Sequence, residues 1–176
     1  DIANQDEQYL AHQTSQDYLF NALGQGAWGA LFPLLTVVCS QLVGIEQAGL
    51  FSMAFVVATL LLFIAQYGVR TYQVSDLTEQ RSFSDYQIQR AATVIVMVTA
   101  GLIWCLFKGY TEPMFSICTG ALLFRAVDGM ADVYEGRLQQ KDKLYLAGLS
   151  QALRCSASFI LFTVVLFVTR NLVWAS

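Results

Sequence analysis

Three charged side chains stand at helical spacing inside an apolar stretch. Between Pro113 and Val133 the chain carries Arg125, Asp128 and Asp132. Offsets of three and seven residues put all three on one face of a helix. A charge at membrane depth costs roughly 3 kcal/mol on insertion scales unless it faces protein, water or a partner. A polar stretch, Tyr134–Lys143, follows, and the next apolar segment holds Arg154. A guanidinium can grip an anion through a planar fork of donors, so Arg125 and Arg154 are candidate binding groups for an anionic substrate. Asp128 and Asp132 are candidates for a coupling ion, either a proton or sodium. The amides of Asn21 and Gln25, one turn apart in the first apolar segment, are further candidate substrate-binding groups. The competing reading of the charged set is a buried Arg–Asp network that only fixes helix packing.

The charged set has an expected geometry. If one helix ends near Val133 and the next starts at Leu144, both arginines lie roughly 12–15 Å from the same boundary, at about 1.5 Å per residue. Arg125, Asp128, Asp132 and Arg154 should then form one cluster between neighbouring antiparallel helices. With Asp132 nearer the water, two arginines beside one deep carboxylate, Asp128, leave a net positive site.

Other chemistry is thin. His12 is the only histidine, in a polar region, which gives no histidine-based triad or metal site. Cys39, Cys105, Cys118 and Cys155 all fall in apolar segments without CxxC spacing and read as small buried hydrophobes. Gly24, Gly26 and Gly29 match G-x-G-x-x-G, but that fingerprint needs a strand before it and a helix after it. Inside an apolar run the glycines read instead as close-packing positions, helped by the small-residue spacing Ala22, Gly26, Ala30. No P-loop is present, and the basic residues are too few and too mixed with acids for nucleic acid. Neither an enzyme nor a cofactor is expected.

The elements that must carry these residues are membrane helices. The 176 residues are 56% hydrophobic and 13% charged, against about 45–50% and about 25% in soluble domains. A bilayer span takes about 20 apolar residues, and the sequence offers five continuous runs: Tyr18–Val43, Ala48–Tyr67, Ala91–Phe107, Pro113–Val133 and Leu144–Val168. Continuous runs argue for helices over barrel strands. The expected fold is therefore all-α, a polytopic transmembrane bundle over residues 18–176 behind a polar tail, 1–17. Pro33 is expected to kink the first helix. Ser52, Thr59 and Gln66, seven residues apart, mark a polar stripe on the second, for helix–helix hydrogen bonds or a hydrated cavity.

The connections expected around Gly68–Arg90 and Tyr134–Lys143 hold Arg70, Arg81, Arg90, Arg137, Lys141 and Lys143. The other side holds Lys108 and Arg170. The positive-inside rule then places the N-terminus and both long connections in the cytoplasm.

Two resemblances bear on function. Asp128-Gly129 followed by Ala131 and Asp132 is similar to the D-G-x-x-A-R signature of membrane CDP-alcohol phosphotransferases. Here the alanine comes one place early, the arginine is absent, and the downstream aspartates are missing. More of the chain resembles bacterial polysaccharide flippases of the MOP exporter superfamily, through Arg125, Asp128, Gly136, Leu138, Gln139, Ser150 and Arg154. A looser likeness runs from Gly49-Leu50-Phe51 to Ala65-Gln66-Tyr67-Gly68 and Arg70. Cys155 follows Arg154 where the family pattern has a glycine or another small residue. That resemblance implies an N-terminal portion of a two-lobed helical transporter that flips polyprenyl-pyrophosphate-linked oligosaccharide across the bacterial inner membrane by alternating access. The implied partners are that lipid-linked substrate, membrane lipids, a coupling proton or sodium, and the remaining helices. A non-transporting membrane scaffold is the alternative.

Overall fold

The computed structural model describes the backbone of residues 2–76 and 80–175, and side chains from residue 14 onward within those ranges. The fold is all-α, with no strand among the described residues. Among the described residues seven helices follow in order: α1 (Ile2–Val43), α2 (Ile45–Gln66), α3 (Val69–Ser75), α4 (Phe83–Phe107), α5 (Met114–Gln140), α6 (Leu144–Thr169) and α7 (Leu172–Ala175). Five helical stretches among the described residues are long and apolar enough to cross a membrane: one in α1, α2 continued through α3, α4, α5 and α6. Pro33 lies within α1, whose helical assignment runs through it unbroken.

The helices outrun the apolar stretches that announce them. From Ile2 on, the residues expected as a polar tail belong to α1. α4 starts at Phe83, two turns before Ala91, because Ser82 and Asp85 form a capping box. The Ser82 hydroxyl accepts from the Asp85 N–H, and the Asp85 carboxylate accepts from the Ser82 N–H. Together they satisfy two otherwise orphaned donors. α5 continues two turns beyond Val133 to Gln140, so the expected ten-residue connection shrinks to a tight turn. Asp142 takes a left-handed backbone there (φ 55), which Asp tolerates better than most residues.

α5 is the hub. It packs against α2, α3, α4 and α6, while α1 packs on α6 and α2. α1 and α6 run parallel: Asp17 caps the start of α6 by accepting from the Tyr145 N–H at 2.7 Å. At the far end, Arg170 donates to the Leu42 carbonyl. Their backbones nearly touch at Gly24, where a Cβ would lie 2.6 Å from the Gly148 carbonyl oxygen. The expected packing stripe of Ala22, Gly26 and Ala30 is instead exposed, as is Gly29, and Gly26 and Gly29 have open space around them. Small-residue spacing identified the right helix but the wrong face.

The apolar core lies toward the end of the bundle away from α3, where Leu31, Leu35, Phe51, Phe55, Ile117, Leu122, Phe162 and Leu166 are buried together. All four cysteines are free and buried. On the α2 stripe, the Ser52 hydroxyl meets Thr36 of α1. Thr59 donates to the Phe55 carbonyl and accepts from Arg125.

Candidate functional site: an alternating arginine–carboxylate chain

The polar interior is one continuous ion-pair chain strung along α5. At its deep end Arg125 Nη1 meets Asp128 Oδ2 at 2.6 Å. Asp128 Oδ1 takes Arg154 Nε of α6 at 3.0 Å, and Arg154 Nη1 reaches Glu135 Oε1 at 2.6 Å. Glu135 Oε2 lies 3.6 Å from Arg70 Nη1 of α3. Arg70 Nη1 also meets Asp132 Oδ1 at 3.1 Å, and Asp132 Oδ2 pairs with Arg90 Nη2 of α4 at 2.7 Å. Every carboxylate thus bridges two arginines. Four guanidinium groups against three carboxylates leave a net charge of 4 − 3 = +1.

Helical periodicity explains why α5 can do this. Asp128, Asp132 and Glu135 recur at four and three residues, so they share one face while α4, α6 and α3 approach it from different sides. A charge buried singly would be prohibitive, but alternating partners make burial tolerable. The seal is uneven. Arg90 is 0% exposed and Arg125 is also buried, whereas the Arg154 and Arg70 side chains keep 19% and 26% of their surface.

Those two partly buried guanidiniums line a cavity of about 200 Å³, together with all three carboxylates and the amides of Gln25, Gln66 and Gln151. Arg125 does not line it. Its guanidinium lies 4.2 Å from the Phe55 ring centroid and 5.3 Å from that of Trp28, and its Nε donates to Thr59. It lines instead a neighbouring cavity of about 280 Å³, walled by Trp28, Phe32, Phe55 and Phe63. Trp28 and Phe63 border both spaces.

Against the expected site, several placements differ. Arg125, Asp128 and Arg154 do meet, but Asp132 joins them only through Glu135 and Arg70. The depths do not match: α5 ends at Gln140, which puts Arg125 about 22 Å from that end at about 1.5 Å per residue. Arg154 sits lower, reaching back toward Glu135. Gln25 lines the cavity, while Asn21 does not and lies where its backbone N faces Gly148.

Glu135, Arg70 and Arg90 were missed as site residues. Arg70 and Arg90 fall in the connection expected at Gly68–Arg90, but Arg90 sits inside α4 and Arg70 inside α3. Two signals point to Glu135 and Arg90, and none to Arg70. Glu135 continues the Asp128, Asp132 stripe, and Arg90 lies two turns into a helix whose capping box is legible. Buried Gln73 fastens α3 to α5 by donating to the Val133 carbonyl at 3.1 Å.

No model of a known protein family, no curated protein and no solved structure matches the chain. Function must be argued from the site. Its carboxylates have both oxygens engaged by arginines, so a cation would have to displace guanidinium partners. An anion entering the cavity meets the two guanidiniums that keep some exposed surface, Arg154 and Arg70, while the remaining positive charge of the chain is sealed on Arg90 and Arg125.

Proposed function

We propose that the chain forms the substrate-binding part of a bacterial inner-membrane transporter that flips a polyprenyl-pyrophosphate-linked oligosaccharide. One observation carries the reading: of the four arginines in a chain of net charge +1, the two that keep exposed surface, Arg154 and Arg70, line a polar cavity. Phosphate oxygens compete for those two guanidiniums, whose forked donors suit them. Gln25, Gln66 and Gln151 supply neutral donors and acceptors for hydroxyls beside the phosphate. As the anion takes Arg154, Asp128 and Glu135 lose a partner and become free to bind a proton or sodium, which links substrate to ion. In this reading Arg125 and Arg90 hold the outer members of the chain in place.

The competing reading, a packing network in a scaffold, draws on the full occupation of every carboxylate oxygen. The two separate on lipid retention. The purified protein should retain a polyprenyl pyrophosphate over the neutral polyprenol. Arg154→Ala should lose that preference at unchanged membrane abundance, and Arg154→Lys should keep part of it. Equal retention of charged and neutral lipid, or loss of the Arg154→Ala protein from the membrane, overturns the transporter reading in favour of the scaffold.

A further inference from the structure

A second cavity lies apart from the charge chain, where α2 ends and α4 begins. It encloses about 660 Å³ and is lined by Tyr67, Tyr72, Arg81, Asp85, Ile88 and Gln89, among others. Tyr67 OH accepts from Gln89 Nε2 at 2.9 Å, which ties the end of α2 to α4 and closes one wall. Arg81 is exposed, and its guanidinium has no carboxylate partner among the described residues; only its backbone N–H is held, by Asp76. Asp85 is fixed by the capping box through Oδ2, which leaves Oδ1 open. A cation and an anion therefore line one cavity without pairing with each other.

The polarity changes along α4 in one direction. Past Arg81 and Asp85 come Ile88, 69% exposed, and Ile95, 65% exposed, two turns further into the span. Ile64 of α2 is similarly bare beside Tyr67. Charged groups at the boundary with bare aliphatic walls beneath them are the order of a phospholipid, headgroup outward and chains inward. Tyrosines at that level are the residues that favour the headgroup zone.

We propose that this cavity binds one aminophospholipid, with its phosphodiester on Arg81, its primary ammonium on Asp85 Oδ1, and its acyl chains along Ile88 and Ile95. The acid selects the headgroup. An anionic glycerol headgroup would leave Asp85 uncompensated, and a quaternary choline has no N–H to donate to it.

The test uses the chain in nanodiscs of equal phosphatidylethanolamine, phosphatidylglycerol and phosphatidylcholine, with lipid carried through purification counted by mass spectrometry. Phosphatidylethanolamine should be enriched several-fold over its bulk share. Arg81→Ala should abolish enrichment of any phospholipid. Asp85→Asn, whose amide oxygen can still accept from Ser82, should keep phospholipid but lose the preference for ethanolamine over choline. Tyr72→Phe checks the site without touching charge or cap, and should weaken retention. Lack of enrichment, enrichment of phosphatidylglycerol instead, or enrichment unchanged in both charge variants overturns the proposal. None of these residues belongs to the arginine–carboxylate chain, so the outcome is independent of transport.

Discussion

At the scale of single residues, the four arginines of the chain divide into two kinds, and the division is measurable. Arg90 and Arg125 are sealed, while Arg154 and Arg70 reach the cavity. Removing a sealed member strands a buried carboxylate, which costs about 3–5 kcal/mol in buried pairs. Arg90→Ala should fall at the low end, about 3 kcal/mol, because Asp132 keeps Arg70 at 3.1 Å. Arg154→Ala leaves Asp128 with Arg125 and Glu135 with Arg70, and water can reach the gap. Its loss of stability should therefore be clearly smaller. Thermal unfolding of the two variants in detergent checks the order, and an Arg154→Ala protein less stable than Arg90→Ala would contradict it. Arg125→Ala belongs with Arg90, since its guanidinium also fills the space among Phe55, Trp28 and Phe124. Its substitution should act on folding before it acts on any ligand.

At the scale of helices, the tightest joint is α1 on α6. Gly148→Val should lower stability by about 3 kcal/mol, the upper end for overpacking, because the added atoms meet the Phe20 backbone rather than a movable side chain. Gly26→Val, with nothing within 4 Å, should leave the unfolding temperature nearly unchanged. Equal effects would mean that α1 presents another face to the bundle. The same pair shows what a sequence can reveal. Periodicity and composition identify α1 as a membrane helix rich in glycine, but which glycine meets a partner depends on α6, more than a hundred residues away. Apolar runs located every spanning helix. They stopped short at Val133 and Ala91 because the last turns of α5 and first turns of α4 are polar, held by capping and by α3 rather than by lipid. That shortfall hid Glu135 and turned Arg70 and Arg90 into apparent loop charges. Asp128, Asp132 and Arg154 were legible because charge inside an apolar run needs no partner to be conspicuous.

At the scale of the whole molecule, the ends of the bundle differ in charge. With Arg70 and Arg90 withdrawn into the ion-pair chain, the basic residues left near the α3–α4 and α5–α6 connections are Arg81, Arg137, Lys141 and Lys143. Near the other end stand Lys108 and Arg170, and Arg170 is partly engaged by the Leu42 carbonyl. The bias survives the correction, and Lys and Arg near short connections set orientation. We therefore expect the α3–α4 and α5–α6 connections to face the cytoplasm. Ser84 and Asp142 are exposed at that end, and the four native cysteines are buried, so background labelling should be low. Ser84→Cys and Asp142→Cys should resist a membrane-impermeant maleimide in intact cells and react once the membrane is opened. A cysteine placed at Lys108, exposed at the opposite end, should react without opening. Reaction of Ser84→Cys or Asp142→Cys in intact cells would invert the bundle. The cavity at Arg154 and Arg70 would then lie near the outer face, and loading of substrate from the cytoplasmic side through it would fail.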